Sequence, residues 1–122
     1  KLSCVFGCGG ERDPSKRGVM GAIAAAHADI VVVTNDNPRC EDPAVIAASI
    51  IAGMSDTSYV TVILERSCAI AEVIKQAKVG DWVVVAGKGA EAYQEIAGER
   101  KAFSDALCIE RALESYHVAN IK

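Results

Sequence analysis

A chain of 122 residues suits one domain around one core, and its 51% apolar and 24% charged content is the balance of a globular protein. Thirteen Lys and Arg against sixteen Asp and Glu give a net charge of −3, and no basic stripe is visible, which excludes an obvious nucleic-acid surface. No apolar run reaches membrane-span length and no signal peptide is read, so a cytoplasmic protein away from membranes is expected.

Leu2–Phe6 is a short apolar run that predicts a buried strand, followed by a glycine-rich loop over 7–14. Ser15 offers an N-cap for a helix over 16–28, with Val19, Met20, Ile23 and Ala26 at helical spacing. Ile30-Val31-Val32-Val33 is an unbroken β-branched run within 29–34, the pattern of a central parallel strand covered on both faces. A polar turn over 35–41 is centred on Pro38. Asp42-Pro43 then reads as an N-cap with Pro at the first helical position, opening a helix that stops at Gly53. A third strand is expected over 59–64 and a helix capped by Ser67 that ends near Gly80. Trp82-Val83-Val84-Val85, within 81–86, predicts a fourth buried strand, followed by the tight loop Gly87-Lys88-Gly89. Segments 93–96 and 100–103 predict a hairpin, and 105–115 a last amphipathic helix packing through Leu107, Ile109 and Leu113.

Strands alternating with helices imply an α/β, Rossmann-like, mostly parallel sheet flanked by helices, with a C-terminal hairpin as an antiparallel edge. In such sheets ligands bind beyond the carboxyl ends of the strands. Three polar segments leave those ends. The first, Gly7-Cys8-Gly9-Gly10-Glu11-Arg12-Asp13, begins like a dinucleotide fingerprint but carries Arg12 at the third glycine position. Arg12 suits a side-chain grip on an anion; the alternative is a solvent-facing loop with an Arg12–Asp13 or Arg12–Glu11 ion pair. In the second segment Pro38 stiffens a turn in which Asp36 supplies charge, Asn37 donors and an acceptor, and Arg39 a planar fork for a carboxylate. Such a set can hold the ammonium and carboxylate of an amino-acid-like ligand, or Asp36 merely closes the turn while Arg39 is a solvated charge. In the third, Gly87 lets a ligand approach the backbone and Glu91 can accept from an ammonium; the Walker pattern is missing. His27 and His117 lie apart, and neither has a metal-like neighbour.

The five cysteines, Cys4, Cys8, Cys40, Cys68 and Cys108, are odd in number with no CxxC pair. They read as reduced thiols rather than a disulfide framework or zinc site, with a reactive thiol at Cys8 or Cys40 as the alternative.

At these segments the sequence resembles the C-terminal domain of Mur ligases, and among them those that add meso-diaminopimelate to UDP-N-acetylmuramoyl-L-alanyl-D-glutamate in peptidoglycan biosynthesis. The resemblance rests on Gly9-Gly10-Glu11-Arg12-Asp13 with Lys16-Arg17, Met20-Gly21-Ala22-Ile23-Ala24, and Asp36-Asn37-Pro38-Arg39 with Glu41-Asp42-Pro43. It continues through Ile51-Ala52-Gly53-Met54, Ala86-Gly87-Lys88-Gly89, Glu91-x-Tyr93-Gln94 and Gly98-Glu99-Arg100. It implies that residues 1–122 are one amino-acid-binding domain of a larger enzyme, without its N-terminal UDP-sugar and central ATP-binding domains. The site it implies comprises Arg12, Asp36, Asn37, Pro38, Arg39, Gly87 and Glu91. Arg39 would pair with a carboxylate of diaminopimelate and set the preference over lysine, Arg12 would neutralise a second carboxylate, and Asp36, Asn37 and Glu91 would hold ammonium groups. The implied reaction phosphorylates the D-glutamyl carboxylate with ATP and lets the amine of diaminopimelate displace the phosphate. ATP and Mg2+ would be held mainly by the central domain, with Asp13, Lys16 or Arg17 reaching nucleotide after closure. Glu11 and Ala90 depart from the family's usual Asp and His. The isolated domain is expected to be inactive. The competing readings are a non-catalytic Rossmann-like nucleotide-binding module, resting on Gly7-x-Gly9, and a protein-interaction domain.

Overall fold

A computed structural model describes residues 1–120; Ile121 and Lys122 of the expected 1–122 domain lie outside the described residues. The main sheet contains β1 (Leu2–Phe6), β2 (Ile30–Val33), β3 (Val60–Val62) and β4 (Trp82–Val85), all parallel, in the order β3-β2-β1-β4. Helices α1 (Arg17–His27), α2 (Pro43–Ile51) and α3 (Arg66–Gln76) connect consecutive strands. The hairpin is formed by β5 (Tyr93–Ile96) and β6 (Glu99–Ala102), a two-stranded sheet of its own rather than an edge of the main one. Helix α4 (Asp105–Asn120) follows it.

Strand alternation divides the apolar side chains between two cores. Phe6, Val31 and Val33 pack with Ile46, Ala47 and Ile50 of α2, while Val5 and Val32 pack with Ala69, Ile70, Val73 and Ile74 of α3. The β2 run thus has cover on both faces. The β4 run does not: it pairs only with β1, and Trp82 is 74% and Val84 45% exposed. The expectation of a fourth buried strand is corrected here. Val83 and Val85 face the α3/α4 side, whereas among the described residues no helix covers Trp82 and Val84 on the opposite face. A run of Trp and Val looks the same in sequence whether one face is covered or two.

Two caps also differ from expectation. Asp13, not Ser15, closes the first helical turn, accepting from Ser15 N at 3.0 Å ahead of a short 3-10 turn at Pro14–Lys16. Glu65 is the N-cap residue of α3, and Ser67 Oγ donates to its carboxylate. Asp42 caps α2 through Ala44 N, with Pro43 at the first helical position as expected. Helix α4 is longer than predicted and packs through Cys108, Ile109, Ala112 and Tyr116, while Leu107 and Leu113 are half exposed.

The strand order reverses between β1 and β4: β1, β2 and β3 step one way, and α3 carries the chain back across the sheet to β4. Beyond the carboxyl ends at such a reversal lies the crevice where doubly wound sheets bind ligands.

Candidate functional site

The loops after β1, β2 and β4 meet at that reversal. Gly10 N donates to Asn37 O at 2.8 Å, and Arg39 Nη1 donates to Gly10 O at 2.9 Å, so the first loop is stitched to the second. A Cβ on Gly10 would come within 1.9 Å of Pro38 O, which explains glycine at that position by close backbone approach. The same holds for Gly7, whose Cβ would meet Thr34 O at 2.0 Å. These glycines therefore serve packing between loops, and the broken fingerprint needs no phosphate to explain it. Gly87, at φ +108°, turns the third loop beside Asp36, whose Oδ2 would lie 3.0 Å from a Cβ there.

The hairpin holds the second loop from the other side. Arg39 N donates to Glu95 O at 2.8 Å, Ala97 N donates to Arg39 O at 2.6 Å, and Gln94 Nε2 donates to Asp36 O at 2.8 Å. Ala97 and Gly98 both have positive φ, the requirement of the tight hairpin turn between β5 and β6. Arg39 itself sits at φ +55°, as does Glu11 in the facing loop. Left-handed non-glycine residues are disfavoured and persist where the surroundings fix them, often at functional sites.

The guanidinium of Arg39 is oriented by Glu95, whose Oε2 is 2.9 Å from Nε, and by the carbonyls of Gly10 and Asn37, which accept from Nη1. Nη2 carries no hydrogen bond among the described residues. Arg39 lines a cavity of about 280 Å³ with Glu11, Cys40, Glu95, Glu99 and Arg100, a lining of both charge signs. Arg12 is exposed and makes no ion pair among the described residues; Glu11 instead accepts from Cys40 N, and Asp13 from Ser15 N. A Cβ on Gly9 would lie 2.9 Å from Arg39 Nη1 and 3.4 Å from Arg12 Cγ, so both arginines flank Gly9.

Asp36, Asn37 and Glu91 do converge on an ammonium, but it is the protein's own. Lys88 Nζ lies 2.6 Å from Asn37 Oδ1 and 3.2 Å from both Asp36 Oδ1 and Glu91 Oε1, and it donates to Tyr93 O at 2.9 Å. Sequence reasoning weighed Lys88 only against a Walker lysine and missed this role. The available signal was a lysine between two glycines, three residues ahead of an acid. Pro38 and Asn37 are buried, and Asn37 Oδ1 accepts from both Lys88 Nζ and Glu95 N.

Asp13, Lys16 and Arg17 separate in space and in role. Arg17 is 4% exposed and forks onto Glu41, with Nη1 at 2.7 Å from Oε2 and Nη2 at 2.9 Å from Oε1. That guanidinium, helped by Glu11 N, holds the Glu41 carboxyl down at about 2. Arg17 therefore ties the first loop to the start of α2. Lys16 is exposed and Asp13 is engaged as a cap.

All five cysteines are free thiols. Burial pushes the Cys4, Cys8 and Cys108 thiols up, the opposite of an activated nucleophile. Among the described residues no cluster of three or more His, Cys, Asp or Glu could hold a metal ion, and no helix is long and apolar enough to cross a membrane. Roomier cavities of about 420 and 520 Å³ lie against α3, away from the convergent charged loops. Charge and loop convergence, rather than volume, single out the site around Arg39.

The family model for "Mur ligase, glutamate ligase domain" matches residues 1–89. A curated relative from Chromobacterium violaceum, UDP-N-acetylmuramoyl-L-alanyl-D-glutamate–2,6-diaminopimelate ligase, is 53% identical over 116 residues, covering 95% of this chain and 23% of the relative. The protein of the same name from Ectopseudomonas mendocina is 50% identical over 120 residues, covering 98% of this chain and 25% of its own length. A solved structure of a ligase of that name superimposes with a TM-score of 0.90 at 45% identity, over 96% of this chain and 24% of that one. The chain spans about a quarter of the length of the proteins it matches.

Proposed function

The chain belongs to the Mur ligase family, and we propose that it is the domain that binds meso-diaminopimelate in a ligase joining that amino acid to UDP-N-acetylmuramoyl-L-alanyl-D-glutamate. The observation that carries this reading is Arg39. Its guanidinium is aimed by Glu95 and two backbone carbonyls, Nη2 carries no hydrogen bond among the described residues, and it lines a cavity of mixed charge between the first two loops and the hairpin. Diaminopimelate carries an amine and a carboxylate at each end. A fixed guanidinium with Arg12 nearby supplies carboxylate partners, and Glu91, 42% exposed, has its free oxygen for an ammonium.

The role of these residues is positioning. Holding the nucleophilic amine at a fixed place and angle removes much of the entropic barrier of a two-substrate reaction. ATP and Mg2+ are assigned to the part of the ligase that this chain does not span, as is the UDP-linked peptide. The reaction belongs in the cytoplasm, in keeping with five free thiols. The 122 residues alone are expected to show no ligation.

The test is to assay the full-length ligase carrying this domain with meso-diaminopimelate and with L-lysine, as wild type and as Arg39→Ala. The expected result is a strong wild-type preference for diaminopimelate and at least a hundredfold loss of kcat/KM for it in the variant, the scale of a lost charge-assisted contact of about 3 kcal/mol. Equal use of both amino acids by the wild type would overturn the reading.

A further inference from the structure

Lys88 is 3% exposed, yet its partners all belong to the amino-acid site or to the hairpin strand beside it. Two consequences follow for what the site can accept. The first concerns Asn37. Its Oδ1 accepts from Lys88 Nζ at 2.6 Å and from Glu95 N at 3.0 Å. Two donors on one atom identify it as the oxygen and leave the NH2 group as the amide's remaining polar face. The resemblance implied that Asn37 takes an ammonium; the geometry presents a donor, which suits a carboxylate.

The second consequence is electrostatic. Asp36 and Glu91 face the same point, and Lys88 lies between them at 3.2 Å from each. Without it they form an acidic pair that attracts a lone ammonium and repels a carboxylate. With it, one of the two negative charges is balanced inside the protein, where salt screens poorly.

We propose that Lys88 is a specificity-determining positioning residue: it admits the carboxylate-bearing far end of the amino acid and disfavours an end that is only an ammonium. Diaminopimelate and lysine differ by that carboxylate. Discrimination of this kind uses an unfavourable element against the wrong ligand as well as contacts to the right one. The proposal rests on the reading of this site as the amino-acid site.

The experiment compares Lys88→Met, Lys88→Arg and wild type in the full-length ligase, with kcat and KM for meso-diaminopimelate and L-lysine and KM for ATP. The expected result for Lys88→Met is at least a tenfold fall in the diaminopimelate-over-lysine ratio of kcat/KM, through a higher KM for diaminopimelate, with KM for ATP within twofold of wild type. Lys88→Arg, which keeps the charge, is expected to retain most of the preference. An unchanged ratio in Lys88→Met would overturn the proposal, and so would a loss spread evenly over all substrates, which a purely structural role produces. Should Lys88→Met not fold, Lys88→Gln carries the test: it keeps a donor but no charge, a several-fold fall in the ratio supports the proposal, and an unchanged ratio overturns it. A wild type indifferent between the two amino acids sinks the site reading and this proposal together. A preference lost in Arg39→Ala but kept in the Lys88 variants sinks this proposal alone.

Discussion

Two of the buried cations near the carboxyl ends of the parallel strands, Arg66 and Lys88, are held in opposite ways. Arg66, at the first position of α3, is 1% exposed and forks onto Asp105 at the first position of α4, with contacts of 2.7 and 2.8 Å. Its other donors reach the carbonyls of Asn35 and Ala86, the residues that leave β2 and β4. That device is closed: one buried carboxylate, two carbonyls and no face toward solvent. Lys88 is as buried, but its carboxylate partners lean outward, Asp36 with 16% and Glu91 with 42% side-chain exposure. The Arg66 clasp fixes the floor beneath the loops, and the Lys88 cluster tunes what the loops present. The two cations are alike in burial and differ in the exposure of their carboxylate partners.

Stability separates the two clasps first. Asp105→Ala leaves Arg66 buried without its carboxylate and should cost about 3–5 kcal/mol in urea unfolding. Surviving protein should keep its preference for diaminopimelate over lysine; a shifted preference would mean that the floor and the site are not separable. Lys88→Met should cost less, about 1–3 kcal/mol, because Asp36 and Glu91 can turn to water while Asn37 Oδ1 keeps the Glu95 donor. A loss as large as that of Asp105→Ala would make Lys88 a second structural clasp.

Arg17–Glu41 stands between these cases, a buried guanidinium with a partly exposed carboxylate. The folded state holds Glu41 at about 2, below its ordinary 4.5. A depressed carboxyl contributes stability that is full above the unfolded value and is lost as pH falls through the folded one. Stability should therefore decline as pH falls from about 4.5 to about 2. Glu41→Gln should flatten that acid limb in urea titrations at stepped pH, the smallest of these effects. An unchanged limb would show that the clasp is not coupled to folding.

The strands and most helix starts were legible because they rest on local signals: β-branched runs, Asp42-Pro43, and glycines near the ends of helices. Errors arose where two local signals competed or where cover came from elsewhere. Asp13 and Ser15 both cap well, and only the Pro14 turn decides between them. The β4 run resembles β2 because a sequence does not state on which face a later helix will lie. In the site, Pro38 advertised a rigid turn and Arg39 its chemistry. The left-handed backbone of Arg39 and its Glu95 partner were not legible, since both depend on the hairpin more than fifty residues away. The Lys88–Asn37 contact spans 51 positions, and the local signal, an acid three residues after a lysine between glycines, points to an ion pair but not to burial.

The most direct measurement is a crystal structure of the full-length ligase with meso-diaminopimelate. The predicted result is a carboxylate of the ligand within hydrogen-bond reach of Arg39 Nη2 and Asn37 Nδ2, with Lys88 still between Asp36 and Glu91. An ammonium of the ligand at Asn37 with Lys88 displaced, or a ligand bound away from Arg39, would contradict it.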